Sequence, residues 1–488
     1  MTQTPRGVSP STCRTVVLYV LPLFLSLPIF AQTPPTKTPP AFSFELRAQL
    51  EAIRDAALKS DYAWQQLAHL TENIGPRPAG SLAAQAAVEY VGAQLKGLGL
   101  EVHLEPAQVS HWVRGEEKAE LTEYHGQPGN TSQRIVLTAL SGSSATPTDG
   151  LNADLVVVHS FEELTALGRE KVAGKIVLYN VPYDERKALA GSAFEAYGEA
   201  VVYRLDGATK AAALGAAASL VRSVGGANFR LPHTGHSEPA GIPAAALAAE
   251  DADLIDHLAA EGRVRMRLTL TPQSFPNTTS YNVIADLKGS EHPEQIVIVS
   301  GHLDSWDLGQ GAIDDGAGVV MAMEAAEVLQ RLHIRPRRTL RVIAWMDEEN
   351  GGGGNEAYGK DHAAEMANHI AAVESDAGAA HPIGFAMKMS PEALALLRPV
   401  ADVLRPIGAT MFRPVDTSPG SDIEPIVKAG VPGIGIIQDG RHYFDYHHSA
   451  ADTLDKVDPQ ELKENAAAMA VVGYALAAMP DPLPKNQK

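Results

Sequence analysis

One cysteine, Cys13, occurs in 488 residues, so the chain has neither a disulfide scaffold nor a thiolate-held zinc or iron–sulfur site. Positive charge is scarce as well. Forty Lys and Arg stand against 58 Asp and Glu, a formal charge of −18. Proteins that wrap nucleic acid need a net cationic face, so a nucleic-acid partner is not expected. Hydrophobic residues at 45% and charged residues at 20% make the chain too apolar for disorder, and its length allows two or three domains. Any metal must be held by His and carboxylates.

One apolar run stands at the start. Arg6 and Arg14 lead into TVVLYVLPLFLSLPIFA (Thr15–Ala31), and the Pro-rich QTPPTKTPPA follows. A basic start, a short apolar stretch and a small residue at its end form a signal-peptide pattern, with cleavage expected after Ala31. The alternative is an uncleaved anchor, against which the shortness of the run and its Pro22 and Pro28 argue. Residues 1–31 are therefore expected to be removed on export to a secreted or periplasmic destination, leaving no stable membrane span.

Helical spacing runs from Phe42 to about Leu100, broken at GPRPAGS, and LEVHLEP then alternates as a strand. Between about Leu121 and Thr271 short β-like runs (RIVLTAL, ADLVVVHS, GKIVLYN, EAVVYRL) alternate with Ala-rich helical stretches (ATKAAALGAAASLV, AAEDADLIDHLAAEG). GSSATPTDG and TPQSFPNTTS read as the entry and exit of this module. From Tyr281 onward strands and helices alternate again, which predicts an α/β fold with a mostly parallel sheet flanked by helices on both faces. The organisation expected is a signal peptide at 1–31, a Pro-rich linker at 32–43, and a catalytic domain at 44–120 and 275–481. A β-rich module at 121–274 interrupts that domain.

In such a sheet, ligands bind beyond the carboxyl ends of the strands. Metal-type side chains gather at those ends. IVIVS runs into GHLDSWD with His302 and Asp304, and GQGAIDDGAG carries Asp314 and Asp315. VIAWM runs into DEENGGGG with Asp347, Glu348 and Glu349, IAAVE into Asp376, and YFDYHHSAADT holds His447 and His448. Any one of these alone would be a helix cap or an idle surface histidine. Together, uncompensated carboxylates at one edge would repel, and a bound cation is the natural remedy. Carboxylate and imidazole donors suit Zn²⁺ and, less specifically, Mn²⁺ or Co²⁺.

GHLDSWDLGQGAIDDGAG, DEENGG, ESDAG and HHSAADT together resemble the motif set of the co-catalytic two-zinc exopeptidases, beginning with NIGPRPAGS near the N-terminus. GKIVLYN, SLVRSVGGANF and GIPAAAL resemble that family's protease-associated insert. The resemblance implies the zinc exopeptidase fold, two Zn²⁺ per chain, and His302, Asp314, Glu349, Asp376 and His448 as ligands. Asp314 would bridge. Glu349 and His448 would complete one site, His302 and Asp376 the other. His448 is preferred to His447 because the family's ligand stands four residues before the Asp of an Asp-Thr pair, here Asp452-Thr453. Glu348 falls at the general-base position and Asp304 behind His302. Asp347 stands where relatives often have a small residue, and its side chain is expected to point away from the metals.

The expected function is hydrolysis of dipeptides or short peptides with free termini, by carboxypeptidase or dipeptidase action. A zinc aminopeptidase on the same fold is the alternative, and a non-enzymatic receptor ectodomain a distant one. The resemblance favours the carboxypeptidase branch. DTSPGSD (Asp416–Asp422) and DGRHYFDY (Asp439–Tyr446) are candidates for holding substrate ends, without a choice between them. A small peptide is the partner expected, and the sequence leaves a homodimer open.

Overall fold

A computed structural model describes residues 42–486; the signal-peptide reading and nearly all of the linker lie outside them. Helix Phe44–Ala57 starts at Ser43, whose Oγ accepts the Leu46 N–H, and helix Leu82–Gly97 starts at Ser81 in the same way. Between them, helix Tyr62–Ala68 continues into a wider-wound turn, His69–Ile74, and stops at Gly75.

The first sheet is mixed. Its four central strands, in the order Arg338–Trp345, His292–His302, His369–Glu374 and Gly433–Gln438, run parallel. Strand Gln273–Leu287 pairs antiparallel on one side and Pro382–Lys388 on the other. The central strands are apolar on both faces, with alternate residues in different cores. Val297, Val299 and Val342 pack with helices Phe44–Ala57, Ala317–Arg331 and Pro459–Ala478. Ile296, Ile298 and Ile343 pack on the opposite face with Tyr358 and Ile426. Helices thus cover both faces, and all four parallel strands point their carboxyl ends at one edge.

Residues Glu117–Leu270 build a second eight-stranded sheet, with parallel neighbours Leu151–Val158, Ile176–Tyr179, Ala218–Arg222 and Ala244–Leu247 at its centre. The chain enters the second sheet at residues 114–116, well before GSSATPTDG, and leaves it at Thr271 and Pro272, the first two residues of TPQSFPNTTS. The rest of TPQSFPNTTS is already strand. Strand Gln273–Leu287 pairs with Glu101–Val113 as a long ribbon, and Pro276 falls where the register shifts between Val109 and His111, a place that spares a ladder hydrogen bond. GSSATPTDG lies within the second unit, ahead of strand Leu151–Val158.

EAVVYRL also differs from its strand reading, lying inside helix Ala193–Ala213. Its buried residues Ala196, Ala200, Arg204, Gly207 and Ala211 recur at three- and four-residue spacing, which outweighs the local β-branched pair. Gly207 allows Tyr179 to pack flat against that helix, where a Cβ would sit 2.8 Å from the ring. SLV at the end of the Ala-rich stretch is strand, not helix.

Candidate metal centre

His302 is the last residue of its strand. Asp314 lies in the irregular turn Ala312–Gly316 that opens helix Ala317–Arg331. Glu349 follows strand Arg338–Trp345, Asp376 follows His369–Glu374, and His448 follows the short helix Tyr443–Tyr446. All five meet. Asp314 Oδ1 lies 3.2 Å from His302 Nε2, which is itself 3.5 Å from Asp376 Oδ1. Asp314 Oδ2 faces the other way, 3.3 Å from His448 Nε2, and His448 Nε2 is 3.0 Å from Glu349 Oε2. One carboxylate therefore stands between two donor groups.

Two residues not assigned from the sequence join this cluster. His447 Nε2 is 3.4 Å from Asp314 Oδ2, its ring stacked on His448 at 3.6 Å. Asp315 lies within metal-ligating reach of His302 and Asp376, but its oxygens accept the backbone N–H groups of His302 (3.1 Å) and Gly318 (2.9 Å).

The surrounding residues set the loops. The Asp304 carboxylate accepts the N–H groups of Asp347, Glu348 and Glu349, and its carbonyl, not its carboxylate, lies within hydrogen-bond distance of His302 Nδ1, at 3.0 Å. The acidic turn is not a simple strand extension: the strand stops at Trp345, and Asp347 adopts φ 74°. The Asp347 side chain turns to the Ser110 and Gly353 N–H groups. Asp452, of the Asp-Thr pair, accepts the Ala312 and Ile313 N–H groups at 2.8 Å each and so shapes the Asp314 turn. Arg77, in GPRPAGS, is fully buried and donates to the carbonyls of Leu303, Gln310 and Gly311, stitching the His302 loop to the Asp314 loop. No sequence signal beyond its place in that motif marks Arg77.

Charge is crowded. Burial pushes the Glu349 carboxyl to about 8, with Asp314 adding to it, and the Asp376 carboxyl to about 6 against the pull of His302. Burial alone would raise Asp314 too, but His447, His302 and His448 hold it well below the usual range. Asp314 Oδ2 and Glu349 Oε1 are buried without a hydrogen-bond partner. Orphaned carboxylate oxygens beside imidazole nitrogens fit a divalent cation, and the donor set is one zinc accepts.

Glu348 stands at the rim, where its Oε1 accepts the Ser421 hydroxyl at 2.6 Å. It lines both an open groove of about 760 Å³, with Asp376 and Ser421, and an inner cavity of about 310 Å³. That cavity reaches Asp314 and His448 and is walled by Tyr197 and Arg204 of the second unit. DTSPGSD contributes Thr417–Ser421 to the groove, and DGRHYFDY contributes Tyr443 and Phe444 to the cavity. Arg204 was not anticipated, because it sits in the helix read as a strand.

Comparison with known proteins agrees with this architecture. The model of peptidase family M28 matches residues 282–473. Carboxypeptidase Q of Bos taurus is 37% identical over 482 residues, covering 96% of this chain and 98% of the bovine one. A crystal structure of a peptidase M28 precursor from Shewanella amazonensis SB2B superposes with a TM-score of 0.85 at 35% identity, over 91% of this chain and 99% of that one. A zinc aminopeptidase from Bacillus subtilis shares the fold, with a TM-score of 0.61 at 21% identity over 84% of this chain and 94% of its own. On this coverage and identity, the chain belongs to peptidase family M28.

Proposed function

We propose that this protein is a zinc-dependent exopeptidase that hydrolyses dipeptides or very short peptides with both ends free. The observation that carries the reading is Asp314, whose two oxygens face separate donor groups, His302 with Asp376 and His448 with Glu349. Two zinc ions held by these five residues would supply Lewis-acid activation of water and of the scissile carbonyl.

The chain's own residues do the rest. Glu348 takes the proton of the attacking water and returns it to the leaving amine, with Ser421 fixing the orientation of its carboxylate. Asp304 holds the backbone that carries both Glu348 and Glu349. Substrate polarity is supported by Arg204, the only Arg or Lys among the described residues lining the inner cavity. Its guanidinium complements a free carboxylate. The bovine carboxypeptidase Q relative favours the same polarity. The signal pattern at residues 1–31 supports action outside the cytoplasm, and among the described residues no helix is long and apolar enough to cross a membrane.

The test is a substrate panel on the zinc-loaded protein. A free dipeptide should be cleaved with far higher kcat/KM than its C-terminally amidated form or an amino-acid anilide. Efficient anilide turnover with weak dipeptide cleavage would replace this reading with an aminopeptidase.

A further inference from the structure

The loop that carries His447 and His448 is held from the second unit. Its contact there is a two-residue backbone bridge between His233 and Ser449. Thr234 donates its N–H to the His448 carbonyl at 2.7 Å. The Thr234 carbonyl lies 3.2 Å from His448 Nδ1, and His233 Nδ1 lies 2.8 Å from the His447 carbonyl.

These contacts orient both rings. A carbonyl can only accept, so His233 Nδ1 carries the proton; at His448 Nδ1 the Thr234 carbonyl shares its place with Arg204 Nη1, also at 3.2 Å, which can only donate. In His448 the Nδ1 side is thus held by the second unit while Nε2 faces Asp314 and Glu349, the placement a metal ligand requires. His448 itself adopts φ 58°, unusual for a residue with a side chain, and needs such outside support.

The clamp is built, not incidental. His233 is 1% exposed, and Gly225 lies so close to its ring that a Cβ would come within 2.1 Å. Ser223 Oγ accepts its backbone N–H at 2.9 Å. Thr234 Oγ1 donates to Ala139 at 3.0 Å and accepts from Arg114 Nη2 at 3.1 Å. Arg114 in turn forms a two-pronged pair with Asp307, in the loop that carries His302. Arg114 stands where the chain crosses between the sheets, so one arginine links the clamp to the opposite side of the centre.

We propose that His233 and Thr234 are positioning residues for His448, which makes the second unit a working part of the metal centre as well as a wall of the cavity. The inference rests on the reading of His448 as a zinc ligand given above. Truncating the clamp should loosen one ion and spare the other, because no hydrogen bond or ion pair among the described residues joins His302 or Asp376 to His233 or Thr234.

The test compares His233→Leu, which lacks the donor, with His233→Asn, whose amide N–H stands near the Nδ1 position. His448→Ala is the reference. Zinc release to a competing chelator and the visible spectrum of the cobalt-substituted full chain are measured, with Tm as a check on folding. His233→Leu should release one of two equivalents roughly 10–100-fold more readily and change the cobalt spectrum, as outer partners of metal ligands do. His233→Asn should recover most of both. If the Leu variant does not fold, His233→Ser, too short to reach the His447 carbonyl, takes its place. Release and spectrum identical to wild type in the donor-lacking variant would overturn the clamp. A His448→Ala protein that kept both ions would overturn the ligand reading itself, a separate and recognisable result.

Discussion

Asp304 Oδ1 lies 2.8 Å from the backbone nitrogen of Asp347 and accepts its N–H. The same carboxylate accepts the N–H groups of Glu348 and Glu349 at 3.2 and 3.3 Å, and the Asp304 carbonyl is 3.0 Å from His302 Nδ1. One fully buried residue therefore orients His302 at one strand end and Glu348 and Glu349 at the next.

Asp304→Asn should damage both functions without a change of size. An amide has one acceptor oxygen, and its NH₂ group would face N–H donors. The acidic turn should loosen, with kcat reduced by about 10²-fold and zinc held less tightly. Zinc per chain and kcat, measured on the same preparation, check this. An Asn variant with wild-type turnover would leave Asp304 a purely structural residue.

Asp314→Ala is expected to lose both ions and all activity, because the residue faces both donor groups and its removal leaves two cations sharing one small site. Elemental analysis should find close to zero zinc. A variant retaining one full equivalent, or a wild-type protein with one under zinc-replete conditions, would refute the bridged pair.

Glu348→Gln should separate chemistry from metal binding. Size and polarity are kept while the proton acceptor is removed, so zinc content should be unchanged and kcat should fall roughly 10²–10⁴-fold. Ser421→Ala, which removes the 2.6 Å hydrogen bond to Glu348, should cost less, about tenfold in kcat. Near-normal turnover in Glu348→Gln would send the search for the base elsewhere.

His302, Glu349 and Asp376 are readable from the sequence because each ends or follows an apolar strand, and a parallel sheet delivers such ends to one edge. What surrounds them is not readable in that way. Ser421 meets Glu348 from 73 positions away, and Thr234 meets His448 from 214. No local pattern records such meetings. Arg204 is hidden by a misleading one: Val201 and Val202 suggest a strand, while the small residues that seat the helix against Tyr179 declare themselves only in packing. TPQSFPNTTS marks the exit at its first two residues but conceals that the rest is strand, since a Pro at a register shift costs an extended pair little.

Glu324 should make stability depend on pH away from the centre. It is 1% exposed, accepts the Ser60 hydroxyl and the Ala63 N–H, and is pushed by burial to about 7. An unfolded glutamate titrates near 4.3. Between about pH 4.5 and 7 the folded chain keeps a proton that the unfolded chain has lost, so stability falls as pH rises through that window. Glu324→Gln cannot ionise. In urea denaturation of the zinc-loaded protein, variant and wild type should agree near pH 4.5. The variant should be the more stable at pH 8, by on the order of 1–3 kcal/mol. Equal stability at both pH values would show that Glu324 stays ionised in the fold.

Arg204 should decide substrate polarity. Its guanidinium donates to the carbonyls of His236 and Thr234, both at 3.3 Å, and lies so close to Gly235 that a Cβ there would come within 2.4 Å. Backbone carbonyls orient the group without neutralising it, so its charge remains for a ligand in the 310 Å³ cavity. Arg204→Met keeps much of the volume and removes the charge. A hydrogen-bonded charged partner contributes about 1.5–3 kcal/mol, so kcat/KM for a free dipeptide should fall roughly 10–100-fold. The C-terminally amidated analogue, with no carboxylate to hold, should be cleaved equally poorly by variant and wild type. Because Arg204 also contacts Thr234 and lies 3.2 Å from His448 Nδ1, zinc content is measured alongside. The ratio between the two substrates is the deciding quantity, since any loss of metal lowers both alike. A ratio unchanged by the substitution would show that Arg204 does not hold the carboxylate, leaving DTSPGSD as the next place to look.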